Sequence, residues 1–233
     1  MTEANARPAL LSLLWLASPA LPVGGFSYSE GLEAAVEAGM ADSEAGVRDW
    51  LVDQLQLGLA SSELPVVAET IEAARRGDTA RVLALDAWVR ATRESAEFAL
   101  QAQQMGRSIA DWLSQRAPAE ATLALLDALH RAPTWPVGWA LAAASGDASL
   151  DDALAAYAFA WSENAVQAAV KAVPLGQSAG QRVLQALVAA VPAAVAQARA
   201  VAARGDDARQ AFLPGLAVQS ARHETQYSRL FRS

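Results

Sequence analysis

An all-α fold of roughly ten helices is what this 233-residue sequence predicts. Three observations carry that expectation. Alanine dominates with leucine behind it, and both lose little freedom in a helix. β-branched runs are scarce, and no stretch alternates convincingly with period two. Hydrophobic residues make up 53% of the chain, enough for one sizeable core, with no fixed-period repeat and no long linker to divide it. The expected organisation is a single helical-bundle-like domain over residues 1–221 and a distinct tail over 222–233.

Element by element, residues 10–17 read as a first helix, stopped by Ser18-Pro19 because proline pushes its predecessor out of the helical region. Ser27 and Glu30 have the spacing of a capping box for a short second helix, and Gly39 stands where a C′ glycine belongs. Asp42 or Ser43 caps a third helix reaching about Gly58, with Val47, Trp50, Leu51, Leu55 and Leu57 on one side. Leu64-Pro65 begins a fourth, ended by "RRGD". Residues 79 to about 112 give long helical patterns anchored by Leu83, Trp88, Phe98, Met105 and Trp112. "RAPAE" and "RAPTWPVGW" read as breaks. Ser149 and Asp152 open a helix with the stripe Leu150, Leu154, Tyr157 and Trp161, ending just before Pro174. "LGQSAGQ" interrupts, residues 182–191 continue, and Pro192 starts a last alanine-rich helix to 203. "RGDD" is a solvated turn.

Charge and composition exclude several functions. A net charge of −7 and a pI near 4.9 argue against a nucleic-acid partner. Without cysteine and with two histidines, disulfides are impossible and soft-metal sites nearly so. Residues 9–17 followed by "SPA" faintly resemble a signal peptide, but Arg7 is the only positive charge before them and Glu3 opposes it. Residues 183–203 carry Pro192, Gln197 and Arg199 and make a poor membrane span. A cytoplasmic protein with no membrane partner is expected.

No catalytic constellation emerges. The stretch "SPALPVGGFSYSEGLEAAVEAG" has paired glycines, but lacks the lysine of a phosphate-binding loop and the strand that precedes a dinucleotide fingerprint. It reads as a tight turn, with Phe26 and Tyr28 placed for a protein contact. Glu30, Glu33 and Glu37 share a helix face, yet neither His130 nor His223 follows a glutamate by three, so a solvated acidic face is expected rather than a metal site. No G-x-S-x-G occurs, and His130 ends a helix, where the dipole accounts for a cation. No catalytic residue, resident metal or cofactor is expected.

Two further segments look like contact surface. Lys171, in "NAVQAAVKAVPLGQSAGQ", is either a helix C-terminal cation or, with Gln177, a positive group and an amide presented to a charged partner. The terminus "SARHETQYSRLFRS" sets Tyr227, Leu230 and Phe231 among Arg222, Arg229 and Arg232, the residue types of interface hot spots. It packs on its own domain or docks on another protein.

These three segments, in this order, resemble the UreF family of urease accessory proteins over essentially the whole chain. Small departures stand at Glu30, where the family more often has Gln, and Ala34, where Trp is common. The resemblance implies an all-α, dimeric, cytoplasmic, non-enzymatic protein. It implies binding of the accessory protein UreD (UreH), recruitment of the GTPase UreG, and help in delivering nickel to the urease apoprotein. Family contact positions fall on Phe26, Lys171, Gln177 and Arg229, within a partner-binding set that adds Tyr28, Arg222, His223, Glu224, Tyr227, Leu230, Phe231 and Arg232. The tail is expected to become ordered when UreD binds. The alternative is a helper that activates the GTPase by placing a residue in its site.

Overall fold

The computed structural model describes residues 3–116 and 118–233, which form eleven α-helices and no strand. The helices are α1 (Glu3–Leu16), α2 (Leu32–Glu37), α3 (Glu44–Asp53), α4 (Glu63–Arg76), α5 (Thr79–Ala91), α6 (Ala96–Ser114), α7 (Glu120–Ala128), α8 (Trp135–Ala144), α9 (Leu150–Ala172), α10 (Gln177–Arg204) and α11 (Pro214–Glu224). The all-α expectation holds.

At the centre lies α8, apolar on every side and buried from Pro136 to Ala143 between α4 and α6. A helix without a polar face has nowhere to sit but a core. The "RAPTWPVGW" stretch is therefore only half a break. Pro136 falls in the first turn of α8, where a missing N–H leaves no bond unmade. Gly106 on α6 is what admits the incoming chain: a Cβ there would stand 1.9 Å from the Pro133 oxygen.

On the other side α9 packs lengthwise on α10. The reading that split α10 at Pro192 is corrected: one helix runs through the proline. Val183, Leu187, Val191, Ala194, Ala198 and Val201 are buried at helical spacing on both sides of it, and that burial outweighs the roughly 3 kcal/mol of an interior proline. This helix is long and apolar enough to cross a membrane, but it packs against α3, α4 and α9.

Local signals fared unevenly. Ser43, Asp78, Ser95 and Ser149 each accept a backbone N–H at a helix start. Leu57 and Leu83, expected in the core, are exposed. Leu55 is buried as expected, but a π-helical stretch, Gln54–Leu59, shifts the register after α3 so that Leu59 turns inward instead of Leu57. On α5 the inner face is Val82, Leu85 and Val89. The final helix, α11, was not anticipated, nor was the ion-paired role of Asp206 in "RGDD", which meets Arg81 and Arg209.

Candidate functional site

The glycine loop comes first in chain order. Gly24 has φ +76°, a backbone conformation costly for any side chain, and it turns the chain into a 3-10 turn, Gly25–Ser27. Asn164 of α9 donates to the Gly25 carbonyl at 3.0 Å, and the Tyr28 hydroxyl donates to Gln104 Oε1 of α6 at 2.6 Å. The capping box proposed for Ser27 and Glu30 is not formed, because α2 starts only after Gly31. The N-cap is Gly31, without a side-chain cap, while Ser29 Oγ, two residues earlier, accepts Glu33 N–H at 3.3 Å.

Glu30 is diverted inward. It has φ 52°, unusual for a non-glycine residue, and its carboxylate accepts from Gln101 Nε2 (2.6 Å) and Trp161 Nε1 (2.7 Å). Burial, and after it the Glu63 carboxylate, push the Glu30 carboxyl above its ordinary range, against the pull of those donors and of Arg93.

The tail closes on this loop. Arg232 N–H donates to the Ser27 carbonyl, and Ser29 N–H to the main-chain oxygen of Ser233, both at 2.8 Å. The Ser233 hydroxyl donates to Gln101 Oε1 at 3.0 Å. The anchor is Glu33, whose carboxylate accepts the amides of Leu230 (2.8 Å) and Phe231 (3.0 Å) and lies 3.2 Å from His223 Nε2. On the other ring nitrogen, Glu97 stands 2.7 Å from His223 Nδ1 and also accepts from Arg229 at 2.7 Å. Glu33 and Glu97 face opposite sides of the ring, so the three do not converge on one ion. Among the described residues no cluster is placed to hold a metal.

The acidic-face expectation for Glu33 is thus corrected. Glu33 is buried because it satisfies backbone donors that the tail brings in. Glu224 has a similar task, accepting the Ala96 amide at 2.8 Å at the start of α6.

The structure brings Phe26, Tyr28, Lys171, His223, Arg229, Leu230, Phe231 and Arg232 to one region. The Lys171 ammonium lies 5.9 Å from the Phe231 ring centroid. Within this set Phe26, Lys171, Arg229, Leu230 and Arg232 are exposed, as is Tyr227, while Tyr28, His223 and Phe231 are buried. A partner reaches those three only if the tail lifts. Gln177, the exposed first residue of α10, and exposed Arg222 make no side-chain hydrogen bond among the described residues.

Beside the loop, a cavity of about 340 Å³ opens against α9. Leu16, Pro19, Leu21, Val23 and Met105 line its apolar part, and Glu163, Gln167 and Lys171 its polar part. Burial raises the Glu163 carboxyl above its ordinary range. Sequence reasoning missed Ser29, Glu33, Glu97, Gln101 and Asn164. One signal was available for two of them: a tail carrying His223 and Arg229 on an acidic protein calls for carboxylate partners.

The UreF family model matches residues 41–188. The chain is 62% identical over 225 residues to the urease accessory protein UreF of Methylibium petroleiphilum, covering 96% of this chain and 94% of that one. To the protein of the same name from Paracidovorax citrulli it is 58% identical over 228 residues, covering 97% and 89%. The bifunctional urease accessory protein UreEF of Bordetella bronchiseptica matches all of this chain over 54% of its own length, at 44% identity.

Proposed function

The chain belongs to the UreF family of urease accessory proteins, which are not enzymes, and from that premise we propose that it is a scaffold bridging UreD (UreH) and the GTPase UreG. In this reading it works as a cytoplasmic homodimer, and nickel is cargo that the assembly passes to the urease apoprotein. The observation that carries the proposal is the convergence of three distant segments, around residues 24–31, 171 and 223–233, on one region with exposed aromatic, aliphatic and basic groups and no catalytic arrangement. Exposed Phe26, Tyr227 and Leu230 supply the large contact groups of a hot spot. The cavity beside Lys171 offers an apolar socket next to a cation. The fused UreEF relative supports work alongside other accessory proteins.

Co-purification tests this reading. Tagged chain is mixed with UreD and UreG, with the tail intact or with residues 225–233 removed so that α11 is kept. The intact chain retains both proteins and the truncated one loses UreD. Retention of both after truncation removes the tail from the contact surface.

A second reading has one observation in its favour: Lys171 is exposed and takes part in no ion pair among the described residues, free to enter a partner's site. There it would stabilise charge on a transferred phosphoryl group, as an arginine finger does. Single-turnover GTP hydrolysis by UreG, with wild type and Lys171→Ala, separates the readings. Acceleration lost in the variant supports the helper role, and no acceleration by wild type ends it.

A further inference from the structure

Away from the loop and tail, a different kind of surface is built where α5, α6 and the segment after α7 meet. A cleft of about 290 Å³ is lined by Arg90, Gln103, Arg107, Arg131 and Ala132. No carboxylate is among these residues, although the chain as a whole carries a net charge of −7.

The cleft is held by fixed parts. Buried Asp86 accepts from Arg90 Nε at 2.7 Å and from the Thr134 amide at 2.6 Å, so that carboxylate is already committed. Arg90 also donates through Nη2 to the Ala132 carbonyl, which leaves Nη1 unused. Gln103 and Arg107 lie four apart on α6 and share a face. Because residue 106 is glycine, the chain at Pro133 presses directly on α6 and sets Arg131 in the same cleft as Arg107. Arg107 and Arg131 are exposed and take part in no ion pair among the described residues.

With Arg90 paired to Asp86, the two uncompensated guanidiniums of Arg107 and Arg131 repel one another, and an anion relieves that repulsion. We propose that this cleft binds an acidic segment of a partner protein, whose carboxylates occupy the guanidinium forks of Arg107 and Arg131. A nucleotide fits less well, since no aromatic or large apolar side chain lines the cleft to receive a base. Nor do backbone amides of a helix start point into it to cradle a lone phosphate. An open cleft with separated forks suits an extended chain with several carboxylates.

The test uses the full chain and a fluorescently labelled hexaglutamate peptide, read by anisotropy at low salt. Wild type binds saturably, and Arg107→Glu with Arg131→Glu weakens binding about tenfold or more, since like charges then meet. The control pair Arg48→Glu with Arg204→Glu changes net charge equally, away from the cleft, and leaves binding within about twofold. If the first pair impairs folding by its thermal midpoint, Arg107→Gln with Arg131→Gln is compared with the control instead. Absence of saturable binding, equal weakening by both pairs, or displacement of the peptide by inorganic phosphate at matched ionic strength overturns the proposal.

Discussion

The central helix α8 and the terminal residues 225–233 are both packed against the rest of the chain, yet by different forces. Around α8 the partners are apolar: Trp139 is fully buried, edge-on to Tyr157 at 5.1 Å between centroids, with a single indole bond to the Leu16 carbonyl. The tail buries one large side chain, Phe231, and otherwise rests on polar bonds to Glu33, Ser27, Ser29, Glu97 and Gln101. Burying apolar area is non-directional and water offers no substitute for it. A hydrogen bond to a carboxylate contributes about 1.5–3 kcal/mol net, and water supplies a replacement once the tail lifts. The core has no substitute partner in water, whereas the tail is held by bonds that water can replace, as the proposed docking role requires.

Substitutions that break this comparison rank by size. Trp139→Ala leaves a large hole in the core and costs about 3–5 kcal/mol, read from denaturant unfolding. A silent result would mean that α8 is not the centre. Glu33→Ala strips the acceptors from two tail amides and one face of His223, at about 1–3 kcal/mol. Its signature is local: protease cuts appear within 225–233 while the core melts at nearly the same temperature.

Glu30→Gln sharpens the contrast through pH. The folded-state carboxyl of Glu30 lies above its ordinary 4.5, so the native chain keeps a proton that the unfolded chain has lost. Stability from this group is present at low pH and falls away as pH rises through the folded value. Wild type accordingly loses stability over that window, and Glu30→Gln, which carries no charge to bury, shows a flatter profile. Tyr227→Ala changes stability least, within about 0.5 kcal/mol, because the ring is fully exposed. Under the proposed bridging role its effect is on binding, read as weaker retention of UreD.

The same contrast explains what could be read in advance. Caps and stripes are local chemistry, so Ser43, Ser149 and the Leu154–Tyr157–Trp161 face of α9 were legible. The α8 start was hidden because Pro136 and Gly138 signal turns unless a core surrounds them. The tail's basic and aromatic character was plain in sequence, but its seat was not. Glu33 lies some 200 residues earlier, and its spacing with Glu30 and Glu37 is what a solvated helix face would also show. Burial of a carboxylate depends on donors that only the folded chain delivers.

Native-state hydrogen exchange on the isolated chain tests this hold on the tail most directly. The amides of Ser29, Leu230, Phe231 and Arg232 should be protected and open together, at a free energy well below that of α8 and α9 amides. Exchange of those four only with global unfolding, or no protection from the outset, would contradict a seated but detachable tail.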